Sequence, residues 1–385
     1  MTQVRKVKNK TGVLLYGDSE RDADLLYLGK LFVPDSFLAC QVEGKRRVCF
    51  LNQLEYARGV KESDFDVVYS LEDSLKETSR LFRKQKVGLV DLVKYLAHVE
   101  GIKEFVVPER FPAGLYADLR RARVAVSIVD GAIFPKRAVK NEAEAALIRE
   151  GNKASEAGFA VVEEILRASK VKGRTVYYKG KALTAEYLKY RIEVACLERG
   201  AVSSHTIVAC GDQGCDPHCR GSGPIYANEL IVVDIFPRVT HTGYYGDMTR
   251  TFLKGKANDG QKKLVHTVLE AQKSAIALLK AGVSGKKVHE AVVQYFEKAG
   301  YKTGVIDGVP QGFIHSTGHG LGLDVHEEPR LGKTGGKLKA GNVVTVEPGL
   351  YYPGLGACRI EDVVWVKKAG IELLSDFHYN WSIIY

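Results

Sequence analysis

The chain has 385 residues, 45% of them hydrophobic and 26% charged, with a formal net charge of +10. That length exceeds one ordinary core and suits two domains, and no apolar run of about 18 residues marks a membrane span. Seven cysteines, an odd number in a long chain, speak against a disulfide scaffold and for a reducing cytoplasm. The positive charge is scattered over residues 5–10, 80–86, 120–123 and 136–140, and no helix carries a continuous basic face interleaved with aromatics. A basic solvated surface is the expectation, with no nucleic acid and no membrane as partner. The first ten residues are basic and lack the apolar core of a signal peptide.

Residues 12–137 alternate strand-like and helix-like pieces. Strands are expected at 13–16, at 66–69, 105–107 and 124–129, and as a hairpin of 37–42 with 47–51 around Glu43-Gly44-Lys45. Helices fit at 52–61, at 71–99 with a break, and at 113–122. This is an α/β layout without a cluster of reactive groups. A linker follows at 137–144, where Asn141 and Glu144 have the spacing of a capping box. Helices are then expected to about residue 168, over 184–197, over 259–281 and over 286–299, the last two ending at Gly282 and Gly300. Helices outside and carboxylate-bearing strands inside make a two-layer α+β domain.

Within that second domain, Cys210, Cys215, His218 and Cys219 invite a zinc or redox reading. Their spacing fits no common zinc pattern well and has no paired second half. The carboxylates say more. Asp234 lies in the apolar run 230–236, Asp247 precedes the run 248–252, Glu347 follows 343–346, and Glu361 lies within 358–364. An ionised side chain in such a β-like segment is costly to bury without a partner. Between the two pairs stands the stretch 315–326, with His315, His319 and His326 among small residues; it carries three of the ten histidines of the chain. Glycines 318, 320 and 322 let the backbone come close to whatever the imidazoles hold, and the alternation Leu321, Leu323, Val325 suggests a strand. Four carboxylates in one small site repel unless comparable positive charge sits among them. Two divalent cations would supply it, and oxygen-rich ligation with one imidazole suits Mn, Co, Fe or Zn.

The phrases VVDIFP, GYYGDMTRTF, HSTGHGLGLDVHEEP, VVTVEPGLYY and CRIEDVVWV, in this order, resemble the pita-bread metallopeptidases. That family includes aminopeptidase P, prolidase, methionine aminopeptidase and the metal-free creatinase. The resemblance implies an α/β amino-terminal domain of the creatinase/prolidase type, residues 1–138, and an α+β pita-bread catalytic domain, residues 139–385. Methionine aminopeptidases lack the first of these. It also implies a homodimer and a dinuclear centre, with manganese foremost and cobalt, zinc or iron as alternatives. In that centre Asp247 and Glu361 bridge the two metals, Asp234 binds one, and His319 and Glu347 bind the other. Asp234 and Asp247 stand two residues further apart than in most relatives. An even insertion keeps both side chains on one face of a hairpin, and Pro237 suggests a bulge or loop within it.

By the same resemblance, Glu347 is general base to a metal-bridging hydroxide that attacks the scissile carbonyl, and His326 helps to stabilise the oxyanion. His218, of the pair Pro217-His218, and His315 position the substrate and help the leaving amine. Arg330 matches an arginine that in prolidase faces the dipeptide carboxylate but that many relatives acting on longer peptides also have, so it does not decide between the two, and Arg359 is expected to orient Glu361 or a neighbouring carboxylate. His218, His315, His326, Arg330 and Arg359 are thus the expected substrate-binding set. Tyr351, Tyr352 and Phe313 either pack on a prolyl ring or belong to the core. His98, His205, His241, His266, His289 and His378 have no clustered partners and read as structural or solvent-facing. The expected activity is hydrolysis of the Xaa-Pro bond at the amino terminus of peptides, an Xaa-Pro aminopeptidase of the cytoplasm. Xaa-Pro dipeptidase (prolidase) is the alternative. A non-peptidase hydrolase or a binding protein on the same fold is more remote, because such relatives tend to lose the ligands and all five are present here.

Overall fold

A computed structural model describes residues 10–306 and 308–384. The basic amino-terminal residues, Lys10 apart, lie outside the described residues. The chain divides into two compact units, the first ending at Pro135 and the second running from Lys136.

The first unit is built on a six-stranded mixed sheet in the order Val67–Ser70, Arg46–Leu51, Phe37–Val42, Lys10–Gly17, Ile102–Val107, Val126–Ile128. The middle strands are antiparallel and the outer pairings parallel. Neighbouring residues of the central strand point to opposite faces. Leu14 packs with Leu92, Leu96 and Leu119 on one side, and Leu15 with Leu25 and Leu28 on the other. Helices occupy Gln53–Glu62, Leu71–Phe82, Leu89–Glu100 and Ala113–Arg121, so the break expected in 71–99 falls after Phe82. The helix Ala23–Gly29 was not signalled. Seven residues show too little of the 3.6-residue period, although Asp22 caps it by accepting from the Asp24 and Leu25 amides.

The second unit has two halves, each a sheet backed by a helix pair. In the first half Glu142–Ala168 and Ala185–Glu198 cover the strands Ile207–Cys210, Leu230–Ile235, Met248–Lys254 and Ser382–Ile383. Phe159, Val162, Leu188, Ile192, Ile231, Val233 and Phe252 form the core between them. In the second half Asp259–Leu278 and Gly285–Lys298 cover Glu327–Leu331, Gly318–Gly320, Val343–Val346, Asp362–Val366 and Ile371–Leu373. Leu264, Val268, Val292, Phe296, Val344, Val346 and Val364 form that core. Asn141 and Glu144 make the expected capping box, with reciprocal bonds of 2.9 and 3.0 Å, and Thr184 caps the next helix.

Two expectations need correction. The helix from Asp259 ends at Leu278, where Leu279 turns extended; Gly282 lies in the following loop and donates to Leu338 O. The alternation Leu321, Leu323, Val325 is not a strand. Pairing stops at Gly320, and Leu321 and Leu323 bury their side chains from a loop. In the long aspartate hairpin, Phe236 and Pro237 form the loop expected there. Arg238–Val239 pairs with Ala201–Val202, Arg238 bridges Tyr245, and Pro237 O accepts from Gly246 N. Asp234 stands opposite Thr249, two residues beyond Asp247, so both aspartates take the same face. No helix among the described residues is long and apolar enough to cross a membrane.

Candidate metal centre and active site

All ten site residues expected from the sequence line one cavity of about 660 Å³ in the second unit. Asp234 comes from the strand Leu230–Ile235, and Asp247 immediately precedes Met248–Lys254. Glu347 follows Val343–Val346, and Glu361 sits between the strands Gly356–Arg359 and Asp362–Val366. His319 is the middle residue of the short strand Gly318–Gly320, which lies against Val343–Val346. Its amide donates to Thr345 Oγ1 at 3.1 Å and the Glu347 amide donates to Thr317 O at 2.8 Å, so the two side chains are held in register. A Cβ on Gly318 would strike the Thr345 carbonyl, which is why that position has none.

The geometry fits divalent ions. Asp247, His319 and Glu361 each offer a ligand atom, all within 4.8 Å of one another. Nδ1 of His319 donates to Gly320 O at 3.1 Å. A carbonyl can only accept, so the lone pair is on Nε2, which faces Asp247 Oδ2 at 3.6 Å and Glu347 Oε1 at 3.4 Å. Lone pair against carboxylate oxygen is repulsive unless a cation lies between. Burial holds the His319 imidazole down at about 3, so it stays neutral. Burial, then the neighbouring carboxylates, push Asp247 and Glu361 well above the usual carboxylate range, and burial takes Glu347 up to about 8. Asp234 Oδ1 is buried without a hydrogen-bond partner. Too many acids for the cations present, with an orphaned ligand oxygen and an outward imidazole lone pair, is the chemistry of a metal site.

Around this cluster the arrangement departs from the sequence reading in places. Of the two options expected for Arg359, the structure has the neighbouring carboxylate, Asp234: Nη2 donates to Asp234 Oδ2 at 2.7 Å, Nη1 to Tyr351 Oη at 2.9 Å and Nε to Thr249 Oγ1 at 3.2 Å. Glu361 is oriented instead by Thr249 Oγ1, which donates to its Oε2 at 2.8 Å. His315 has both ring nitrogens engaged, Nδ1 with Ser316 O at 2.7 Å and Nε2 with Tyr351 Oη at 2.8 Å. His218 and His326 are exposed in the cavity wall, and the His326 ring stands edge-on to His319 with centroids 4.4 Å apart. Arg330 makes no side-chain hydrogen bond or ion pair with any described residue. Tyr351 and Phe313 are buried, and Tyr352 packs at a tilt against Tyr301. Of the remaining histidines, His289 is buried against Thr317 Oγ1 at 3.0 Å, and His378 pairs with Glu163. Among the described residues Cys210, Cys215, His218 and Cys219 do not gather into a ligand group, and Cys210 and Cys215 lie in different core clusters.

Two residues of the first catalytic helix went unnoticed in the sequence. Asn152 Oδ1 accepts from the Asp247 amide at 2.9 Å while its Nδ2 donates to Leu374 O, and Ser155 Oγ donates to Ile235 O at 2.9 Å. Both aspartate strands are therefore seated on one helix face. Gly151 lies so close to Gly246 that a Cβ on either would collide with the other's backbone. The signal was faint: small and polar residues among the apolar ones on the inward face of a helix.

A buried acid cluster with one imidazole, set between two sheet-and-helix halves, defines a metal-dependent hydrolase. A sequence profile of metallopeptidase family M24 matches residues 146–368. The Xaa-Pro dipeptidase of Pyrococcus furiosus is 30% identical over 338 residues, 87% of this chain and 86% of that protein. The Xaa-Pro dipeptidase of Pyrococcus horikoshii is 29% identical over 339 residues, 87% and 85% of the two chains. Among solved structures, the X-Pro aminopeptidase of Thermotoga maritima superposes with a TM-score of 0.79 at 25% identity, covering 97% of each chain. The chain belongs to metallopeptidase family M24, the pita-bread family, and it is an enzyme.

Proposed function

We propose that the protein is an Xaa-Pro dipeptidase of the prolidase type, with Asp234, Asp247, His319, Glu347 and Glu361 holding two divalent ions, manganese foremost and cobalt, zinc or iron as alternatives. This replaces the aminopeptidase as the first reading. The curated relatives that cover most of the chain are named dipeptidases, and one observation is compatible with a substrate whose carboxylate lies inside the cavity, one residue beyond the scissile bond. Of the two arginines in the cavity wall, Arg359 is committed to Asp234 and Tyr351, whereas Arg330 has no partner among the described residues. An unpaired guanidinium facing a cavity is suited to bidentate capture of a carboxylate.

When bound, the two ions would polarise the scissile carbonyl and make water a nucleophile at neutral pH. The residues of the chain then have separable tasks. Glu347, at the edge of the cluster, takes the proton of that water and returns it to the leaving nitrogen. His326 and His218, exposed in the wall, donate to the carbonyl oxygen and the substrate backbone. His315 also lines the cavity, but both its nitrogens are engaged, so it supports the wall through Tyr351. Ile207, Phe236, Ile314 and Val325 give an apolar stretch of cavity wall. A prolyl ring, attached through a tertiary amide with no N–H to satisfy, suits that stretch.

Residues 1–138 are read as the creatinase/prolidase-like domain and 139–385 as the catalytic domain. A homodimer rests on the family resemblance. A cytoplasmic location is supported by seven free cysteines, six of them buried. The deciding experiment compares Ala-Pro with Ala-Pro-Ala, using Mn-loaded protein, a chelator-treated control and the variant Arg330→Ala. Metal-dependent cleavage of Ala-Pro alone, with KM raised in Arg330→Ala, is the expected result. Cleavage of the tripeptide in preference restores the aminopeptidase, and cleavage of neither removes proline specificity.

A further inference from the structure

We propose that Lys140 and Arg137, in the segment immediately after the boundary at Pro135, clamp Glu327, the first residue of the strand Glu327–Leu331, and thereby fix the preceding loop 321–326 that carries His326, so that Glu327 is a positioning residue for His326. The inference rests on the role given to His326 above.

The first half of the loop is tied by backbone bonds, Leu321 N to Val343 O at 3.3 Å and Tyr245 N to Gly322 O at 2.8 Å, and by the buried side chains of Leu321 and Leu323; none of these ties reaches Val325 or His326. Strand pairing ends at Gly320, and Val325 and His326 lie on the cavity side without a ladder. Glu327 folds back over the loop. Its Oε1 accepts from the amides of Leu323 at 3.0 Å and Asp324 at 3.2 Å, which closes the turn. The carboxylate is in turn gripped from behind. Lys140 Nζ donates to Oε2 at 2.6 Å, and Arg137 Nη2 donates to Oε1 at 2.6 Å and to Asp324 Oδ2 at 2.8 Å. The Lys140 and Glu327 side chains are only 2% and 7% exposed, so the pair is shielded from solvent and its geometry is stiff. The two cations are themselves anchored: Lys140 N donates to Gly341 O at 2.7 Å, and Asn342 Nδ2 donates to Ala138 O at 2.6 Å. Gly322 completes the device. A Cβ there would stand 2.7 and 2.8 Å from the two Glu327 oxygens, so only glycine lets the carboxylate lie down on the loop.

The test uses the full-length, metal-loaded protein as Lys140→Met, Lys140→Arg, Gly322→Ala, His326→Ala and the double variant Lys140→Met/His326→Ala. Readouts are kcat and KM on the better peptide of the pair above, metal content, and amide exchange over 321–327. Lys140→Met should lower kcat about tenfold, with KM and metal content within about twofold, and should quicken exchange at Leu323 and Asp324. Lys140→Arg should recover most of the kcat. Gly322→Ala, which leaves every charge in place, should reproduce the loss. In the His326→Ala background, Lys140→Met should cost less than about twofold further, because coupled residues are not additive. Additive losses would reduce Glu327 to a general structural contact and overturn the proposal. If His326→Ala leaves kcat unchanged, the role of His326 fails first, and exchange decides the clamp: unaltered exchange in both Lys140→Met and Gly322→Ala overturns it.

Discussion

Nη2 of Arg359 lies 2.7 Å from Oδ2 of Asp234, while Oδ1 of the same carboxylate is buried with no hydrogen-bond partner. The guanidinium thus takes one oxygen and turns the other toward the cluster. Arg359→Met should cost roughly 10- to 100-fold in metal affinity or activity, the usual effect of losing a group that orients a ligand. Metal titration followed by calorimetry checks it. Unchanged affinity for both ions would mean that Asp234 is not a ligand.

The acid cluster gives the metal-free protein a defined pH response. Glu347 has its carboxyl raised from 4.5 to about 8, so the folded state holds a proton there that the unfolded state has lost. A raised carboxyl stabilises below its unfolded value, and that contribution disappears as pH climbs through the folded one. His315 and His319, lowered to about 3 by burial, act oppositely, but only below their unfolded value of 6.5. Between pH 6.5 and 8 the carboxylate effect stands alone. Chelator-treated protein should therefore lose Tm across that window, whereas metal-loaded protein should hold or gain it, because ligation displaces the protons. Thermal scans at pH 6.5 and 8, with and without chelator, decide it.

Asn152→Ala should destabilise by about 1–3 kcal/mol, since it leaves the buried Asp247 amide and the Leu374 carbonyl without partners. Activity should fall further than stability explains, because Asp247 is released from its seat. Denaturant melts set beside kcat give the comparison, and an activity loss no greater than the folded fraction predicts would confine Asn152 to stability.

Arg250 and Asp362 form a buried ion pair at 2.8 Å, side by side with Glu361 in the chain. Arg250 also donates to the carbonyls of Glu361 and Phe377, and Asp362 accepts from Gln272, Ser375 and Tyr379. Arg250→Met leaves a buried carboxylate uncompensated and should cost about 3–5 kcal/mol. Urea unfolding measures this; a loss below about 1 kcal/mol would show that water reaches Asp362.

The residues that could be read from the sequence were those whose chemistry conflicts with their surroundings. Asp234 in Leu-Ile-Val-Val-Asp-Ile is such a case, because a carboxylate there must have a reason. The cap at Asn141 was equally plain, since it acts on an amide three positions away. What stayed hidden depends on packing between distant segments. Arg359 could not be assigned to Asp234, 125 residues away, before the strands were seen face to face. Asn152 and Ser155 sit mid-helix, where the sequence offers no partner at all. The alternation at Leu321 and Leu323 misled because a loop can also bury every second side chain.

The second unit has two halves, each with its own core, and the acid cluster draws Asp234 and Asp247 from one and His319, Glu347 and Glu361 from the other. On the proposed ligand set, ions seated there are cross-links. They would tie two separately packed bodies together at the seam, as a rivet joins plates. Loss of metal would then loosen the protein mechanically before either core melts, and a substitution deep in one core would be felt first as a mismatch at the rivet.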